Sequence, residues 1–127
     1  MLARYRYAKY IDKIMLVGSK ATVWPAPEDT DTDYLILVKR SWFGWRKRAL
    51  LRQLREDAWN QESYETKYPD TFQSWRSADG ETNYIITTSE KFYADFALAT
   101  HVAKKLNLKN KADRVVLFQA ILYGKAA

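Results

Sequence analysis

The sequence contains no cysteine and a single histidine, and these two shortages exclude several kinds of site. Without cysteine the chain has no disulfide and no thiolate metal site, which fits a reducing compartment, so we expect a cytoplasmic protein. The one histidine, His101, lies among apolar residues of a predicted helix, and Ser19 lacks the flanking Gly-x-Ser-x-Gly pattern. We therefore do not expect a Ser-His-Asp hydrolase.

Long apolar runs are also missing. No stretch approaches the roughly 18 residues that a membrane span needs, and residues 1–6 lack the apolar segment of a secretory signal. We therefore expect no membrane as partner. The 127 residues, of which 47% are hydrophobic and 15% aromatic, suffice for one core, so we predict one domain over residues 1–127.

Only three prolines and four glycines interrupt the chain, and several of them bound predicted elements. Pro25 and Pro27 keep residues 24–30 out of a regular helix. A strand predicted over 32–39 is apolar on both faces, which favours a central strand covered by helices on both sides. The other predicted elements are a helix over 3–12, a strand over 14–17, a helix over 42–63 with Ser41 as N-cap, strands over 72–77 and 82–88 joined at Asp79-Gly80, a helix over 90–107 capped by Ser89, and a helix over 110–123 ending at Gly124. We therefore predict an α/β (α+β) fold with a small mixed β-sheet flanked by helices.

A run of acids stands out in a chain whose formal net charge is +6: Glu28, Asp29, Asp31 and Asp33. Like charges this close raise each other's pKa unless a cation neutralises them. Side chains alternate along a strand, so Asp31 and Asp33 are expected on one side of its entrance, as a hard oxygen site suited to Mg²⁺ or Mn²⁺. Gly18 and Ser19, at the end of the preceding strand, can offer backbone N–H groups and a hydroxyl to a phosphate.

The segment 39–55 carries seven cations and no acid, with three aromatic residues interleaved near its start. This pattern is typical of single-stranded nucleic-acid binders, which combine phosphate attraction with base stacking. The alternative is an amphipathic helix whose tryptophans and leucines face the core and whose arginines face water. On the first interpretation, the residues expected to contact a nucleic acid or an acceptor are Arg46, Lys47, Arg48 and Arg52.

Two short motifs resemble those of a known family. Val17-Gly18-Ser19-Lys20-Ala21, followed by Asp31-Thr32-Asp33-Tyr34-Leu35, resembles the signature of the polymerase-β-like nucleotidyltransferase superfamily, a Gly-Ser turn followed by Asp-x-Asp on the next strand. The matched region covers about the first third of the chain. Residues 83–87 and 111–120 look like those of small nucleotidyltransferases carried by tailed phages.

The resemblance implies a minimal nucleotidyltransferase fold and a concrete chemistry. Asp31 and Asp33 would hold the Mg²⁺ or Mn²⁺ ions that bridge the triphosphate of an incoming NTP, and Gly18, Ser19 and Lys20 would hold its phosphates. An acceptor hydroxyl, on a nucleic acid, a protein or another molecule, would attack the α-phosphate and release pyrophosphate in a two-metal reaction. So small a member is expected to form a homodimer or act on a partner, in the host cytoplasm if a phage encodes it.

One departure from the family pattern leaves a second function open. Many active members carry a third carboxylate on a later strand, and here that strand offers Asn83, a neutral amide, with Glu81 as the other candidate. Asp79 is explained by its Asp-Gly turn. If no third acid completes the site, we expect a catalytically degenerate protein that binds nucleotide, nucleic acid or a host protein without turnover.

Overall fold

The computed structural model describes residues 6–27, 31–62 and 71–124, and these ranges contain five strands and four α-helices. The strands are β1 (Ile11–Val17), β2 (Thr32–Val38), β3 (Asn60–Glu62), β4 (Gln73–Arg76) and β5 (Thr82–Thr87). The α-helices are α1 (Ser19–Thr22), α2 (Trp45–Glu56), α3 (Glu90–Leu106) and α4 (Lys111–Tyr123), and two short 3-10 helices cover Ala8–Tyr10 and Trp42–Gly44.

The five strands form one mixed sheet in the order β1-β2-β5-β4-β3. The central pair, β2 and β5, is parallel, and every other neighbouring pair is antiparallel. The predicted α/β class, a small mixed sheet with helices, is therefore confirmed. None of the helices in the described part of the chain is long and apolar enough to cross a membrane.

Helices cover both faces of β2, as its two-sided apolar sequence predicts. On one face, Ile36 and Val38 belong to a buried cluster with the α2 leucines Leu50, Leu51 and Leu54. On the other face, Leu35 packs with Phe92 of α3. Helix α4 joins this second layer through Phe118, whose ring centroid lies 5.0 Å from that of Phe96.

Of the helix predicted over residues 3–12, residues 3–5 lie outside the described residues, residues 6–7 are helical, and the prediction is wrong from residue 8 onwards. Residues 8–10 form a 3-10 helix, and β1 begins at Ile11, three residues before the predicted strand. Ile11 pairs with Val38 of β2, although the helical pattern had assigned it to one face of a helix. Sheet pairing therefore overrides a local periodicity here.

The helix predicted over residues 42–63 is too long at both ends. Phe43 and Gly44 adopt left-handed backbone conformations, with φ of 54° and 67°, so α2 begins only at Trp45. Ser41 is therefore the N-cap residue of the 3-10 helix, and Gly44 is that of α2, although the Ser41 Oγ accepts a hydrogen bond from the Arg46 N–H in the first turn of α2 at 3.1 Å. The helix ends at Glu56, and the unpredicted strand β3 follows.

The other boundaries agree with the prediction to within about one residue. The β4–β5 hairpin turns at Gly80, whose φ is 77°. The Ser89 hydroxyl accepts the Phe92 N–H at 3.1 Å and caps α3. Gly124 ends α4 in the left-handed conformation. These signals depend on single residues, which is why the sequence alone reveals them.

Candidate functional site

The site forms where β1 ends and β2 begins. Asp33 pairs with Val17 of β1 on one side and with Asn83 of β5 on the other. Arg76 of β4 in turn pairs with Asn83. Because directly paired residues point to the same face of a sheet, Asp33, Asn83 and Arg76 form a polar row on the face that α3 and α4 cover.

The Gly-Ser turn is built tightly against Asp33. Gly18 has φ 72° and ψ −167°, a conformation that essentially only glycine adopts. A Cβ atom at this position would lie 2.2 Å from Asp33 Oδ2. Both the backbone angle and the contact therefore require glycine, and they bring Ser19 to the mouth of the site.

One cavity of about 720 Å³ unites most of the predicted site residues. Gly18, Ser19, Asp31 and Asp33 all line it. Three cations from the start of α4 and the loop before it also line this cavity: Lys109, Lys111 and Arg114. The acids and the cations thus face a shared space, which suits a ligand that carries both a divalent cation and phosphates.

Burial is the main reason why the pKa of Asp33 is raised above its ordinary value. The neighbouring charge of Asp31 raises this pKa further. A hydrogen bond from the Asn83 amide lowers it, as does the charge of Arg76, and the Asn83 carbonyl oxygen accepts a bond from the Ser74 hydroxyl at 2.8 Å. Net, the fold leaves the negative charge of Asp33 incompletely compensated, which favours a bound cation.

Arg76 compensates Asp31 instead. Its Nη1 forms an ion pair with Asp31 Oδ2, and its Nε lies 2.9 Å from Glu62 Oε1. The guanidinium also donates to the Gly80 carbonyl at 3.1 Å. Arg76 therefore competes with any metal ion for Asp31, and it brings a third carboxylate, Glu62, to the edge of the site.

Neither Glu81 nor Asn83, the residues expected to supply a third metal ligand, places a carboxylate beside Asp33. Asn83 is buried beside Asp33 and contributes its neutral amide. Glu81 is exposed, and its backbone carbonyl accepts the Thr32 N–H. In the described ranges, no group of three or more His, Cys, Asp or Glu side chains could hold a metal ion.

Two of the predicted site residues, Asp31 and Asp33, remain as candidate metal ligands. Both line the same cavity, and Mg²⁺ in proteins is often held by one or two carboxylates together with water and substrate phosphates. This donor set fits one divalent ion. The neighbouring acids Glu28 and Asp29 lie outside the described residues.

Lys20 takes a different position from its neighbours Gly18 and Ser19. Its Nζ donates to the Thr32 hydroxyl at 2.8 Å, and it lines a second cavity together with Trp24 and His101. The structure therefore does not bring Lys20 into the cavity of Asp31 and Asp33.

The four predicted contact cations, Arg46, Lys47, Arg48 and Arg52, lie on α2, across the sheet from Asp33. Their aromatic neighbours Trp42 and Phe43 are 82% and 86% exposed, and Trp45 is about half exposed. The interpretation that these tryptophans face the core is therefore wrong, although the leucines of α2 do face it.

Sequence reasoning missed the cations that surround the acids. Arg76 enters the site through the pairing of β4 with β5, and Lys109, Lys111 and Arg114 enter through the packing of α4. The hairpin signal at Gly80 could have shown that Arg76 faces Asn83, whereas no local pattern reports the position of α4.

The chain was compared with models of known protein families and with curated proteins, and neither comparison found a match.

Proposed function

We propose that this chain binds a nucleoside triphosphate with one divalent cation and transfers its nucleoside monophosphate to an acceptor hydroxyl. One observation carries the proposal: Asp31 and Asp33 line the same cavity as the Gly18–Ser19 turn and three cations. The resemblance to the polymerase-β-like nucleotidyltransferase superfamily implies the same assignment.

The acids and the cations that line the cavity would bind different parts of the ligand. Asp31 and Asp33 would hold Mg²⁺ or Mn²⁺, which when bound neutralises phosphate charge and stabilises the leaving oxygen. Ser19 would donate to a phosphate oxygen through its hydroxyl and backbone N–H. Lys109, Lys111 and Arg114, which line the same cavity, would neutralise the remaining phosphate charge.

Arg114 is already positioned for this role. Its Nη1 donates to the backbone carbonyls of Leu108 at 2.7 Å and Lys109 at 2.9 Å, so its cation is fixed at the start of α4 without an acidic partner among the described residues. A guanidinium held in this way loses little further freedom when it binds a phosphate.

The proposed reaction is an in-line substitution at the α-phosphorus. The acceptor hydroxyl oxygen forms a bond to that phosphorus while the bond from it to the bridging oxygen of the β-phosphate breaks. Pyrophosphate leaves with the bonding electron pair, and the hydroxyl proton passes to solvent. The task of the protein is to align the triphosphate and to stabilise its charge.

A thermal-shift experiment with each of the four NTPs, with and without Mg²⁺, tests the site. A ligand that binds only the folded state stabilises it by about 2.7 kcal/mol at 100 times its Kd. We expect a metal-dependent rise in Tm for the wild type and none for Asp31→Ala/Asp33→Ala. As control, Asp113→Ala removes an exposed acid of α4 and should retain the rise. No rise with any nucleotide would contradict the proposal.

Nucleotide binding without turnover is the second candidate, and the ion pair between Arg76 and Asp31 favours it. An arginine that pairs with a candidate metal-ligating carboxylate neutralises that carboxylate without a metal ion. A protein with such a pair can bind nucleotide without catalysing transfer. Pyrophosphate release separates the two candidates: a metal-dependent Tm rise with release supports transfer, and the same rise without release, across candidate acceptor hydroxyls, supports binding alone.

A further inference from the structure

A second polar region lies at the opposite end of the sheet, where the parallel strands β2 and β5 end. A cavity of about 500 Å³ opens there, and it lies next to the exposed aromatic residues Trp42, Phe43 and Trp45, which we name the aromatic tip. We name this cavity the basic cavity, and its polar lining includes Lys39, Arg40, Ser41, Lys47, Thr88 and Ser89.

From these features we propose that the aromatic tip and the basic cavity together bind single-stranded nucleic acid. Bases would stack on Trp42 and Phe43, and phosphates would contact the cations of the basic cavity. This surface is separate from the cavity of Asp31 and Asp33, and the proposal does not rest on nucleotidyl transfer.

The aromatic tip is shaped for stacking rather than for packing in the core. Trp42 and Phe43 are each more than four-fifths exposed, with ring centroids 6.2 Å apart and planes tilted by 57°. Phe43 adopts φ 54°, a left-handed conformation that is uncommon for a residue with a side chain. Exposed aromatic faces beside cations are the features that sequence-tolerant single-strand binders share.

Two arginines, Arg46 and Arg48, are fixed beside these rings. Neither forms an ion pair with an acid in the described ranges. Arg46 donates to the Arg40 carbonyl at 2.5 Å, and its guanidinium carbon lies 4.7 Å from the centroid of the Trp45 ring. Arg48 donates to the Phe43 carbonyl. Since carbonyls hold these groups in place without neutralising them, their charge remains available to phosphates.

The basic cavity adds hydrogen-bond donors to this charge. Ser41 Oγ and Ser89 Oγ each accept a helix N–H at 3.1 Å, and neither hydroxyl proton has an acceptor within the described part of the chain. A hydroxyl that already accepts can still donate, so both can bond to a phosphate oxygen. Asp12 and Glu90 also line the cavity, against its three cations.

The concave shape favours a nucleic-acid strand over an anionic membrane. Tryptophan, phenylalanine and basic residues also suit a bilayer surface. However, a flat bilayer would contact the aromatic tip and leave the donors inside the basic cavity unused. A strand can place a phosphate in the cavity while neighbouring bases lie on the rings.

Fluorescence anisotropy with short labelled oligo(dT) and oligo(rU) tests the proposal on the full chain. We expect binding that weakens as salt increases, because phosphate contacts release counterions. Trp42→Ala/Phe43→Ala should weaken it by roughly fivefold or more, since each stacked base contributes a measurable share of the affinity. Both rings are exposed, so the fold should persist, as circular dichroism and Tm would verify.

A charge-matched pair of variants separates this surface from the general basicity of the chain. Arg40→Glu/Lys47→Glu should weaken oligonucleotide binding by roughly tenfold or more. Lys104→Glu/Lys105→Glu makes the same change in net charge on exposed residues of α3, away from the basic cavity, and should weaken binding by less than about threefold. Equal losses in the two variants would overturn the proposal.

Three further results would also overturn it: no binding of either oligonucleotide, equal binding of a duplex of the same length, or binding of phosphatidylserine vesicles in place of oligonucleotides. Asp31→Ala/Asp33→Ala should bind oligonucleotides as the wild type does. If the wild-type protein binds oligonucleotides but shows no Tm rise with any NTP, the proposed function is contradicted and this inference stands.

Discussion

At the residue scale, Asp33 combines a predicted ligand role with a charge that the fold leaves incompletely compensated. Burial and the charge of Asp31 raise its pKa. A carboxyl whose pKa is higher in the folded than in the unfolded state stabilises the fold below its unfolded pKa, near 3.9, and this contribution is lost as pH rises through the folded pKa. At neutral pH its charge therefore lowers the free energy of unfolding.

We predict that Asp33→Asn increases the free energy of unfolding at pH 7, without divalent cations, by roughly 0.5–1 kcal/mol. The estimate is small because the side chain is partly exposed and solvent screens its charge. The advantage should shrink as pH falls through the folded pKa of Asp33, when the wild-type carboxyl gains its own proton. Urea unfolding in EDTA over pH 3–8 measures it.

Asp31→Asn is the matched control, with the opposite expected sign. Its carboxylate pairs with Arg76, so neutralising it should leave the free energy of unfolding unchanged or lower it by up to about 1 kcal/mol. If Asp33→Asn were instead the less stable variant at pH 7, Asn83 and Arg76 would compensate its charge fully, and the electrostatic argument for a cation would fail.

The sequence predicts these two acids and the Gly18–Ser19 turn because each depends on short-range rules. Alternation along a strand puts the side chains of Asp31 and Asp33 on the same side of the strand. The turn after an apolar strand can be predicted from a segment of only four residues. Arg76 and Glu62 could not be placed so easily. Their positions depend on β3 pairing with β4 and β4 with β5, which local patterns do not specify.

At the element scale, one carboxylate joins the segment before β1 to the end of α2. Asp57, the residue after α2, accepts from Arg6 Nε at 2.6 Å and from the buried Tyr7 hydroxyl at 2.5 Å. The hydrogen bond from Arg6 is the main reason why the pKa of Asp57 is lowered. This stabilising contribution is present above the unfolded pKa, near 3.9, and is lost as pH falls through the folded pKa.

We predict that Asp57→Ala lowers the free energy of unfolding by about 1–3 kcal/mol at pH 7, because it leaves the Tyr7 hydroxyl in the core without its carboxylate acceptor. The difference from wild type should diminish as pH falls below about 4 and through the lowered folded pKa of Asp57, where the native carboxylate gains its proton. Urea unfolding as a function of pH measures both effects.

A double-mutant cycle with Tyr7→Phe isolates the contact. Tyr7→Phe alone should lower the free energy of unfolding by about 0.5–1.5 kcal/mol, and in the Asp57→Ala background it should lower it little or raise it. Strict additivity of the two changes would contradict the idea that this hydrogen bond connects the two elements.

The same region explains why element boundaries were harder to predict than element types. Tyr7, Tyr10 and Ile11 do lie against one apolar cluster, as the helical pattern suggested, but only Tyr7 is α-helical, whereas Tyr10 lies in the 3-10 helix and Ile11 in β1. Ala58, with φ 64°, follows the end of α2, and nothing in its sequence context signals a left-handed residue. Tertiary packing decided both points.

At the scale of the whole molecule, the two proposed surfaces lie at opposite ends of β2. Asp31 directly precedes this seven-residue strand, and Lys39 directly follows it. At about 3.3 Å per residue the strand spans roughly 20 Å. The basic cavity is lined by the start of both α2 and α3, whereas the cavity of Asp31 and Asp33 is lined by a later residue of α3 and by α4.

We predict that NTP with Mg²⁺ and an oligonucleotide bind independently. Charges this far apart are screened at physiological ionic strength, where the Debye length is about 8 Å, and no residue lines both cavities. Saturating NTP with Mg²⁺ should therefore change the oligonucleotide Kd by less than about twofold, since changes at sites without shared partners are usually additive. Anisotropy titrations with and without nucleotide measure this coupling.

Thermodynamic linkage makes the result informative in either direction. Any effect of NTP on oligonucleotide affinity must equal the effect of oligonucleotide on NTP affinity, so the reverse titration checks the measurement. Strong competition that persists in Trp42→Ala/Phe43→Ala would mean that the oligonucleotide enters the cavity of Asp31 and Asp33, where its terminal hydroxyl could act as the acceptor. Independence would mean that an oligonucleotide bound at the aromatic tip leaves the cavity of Asp31 and Asp33 free for NTP.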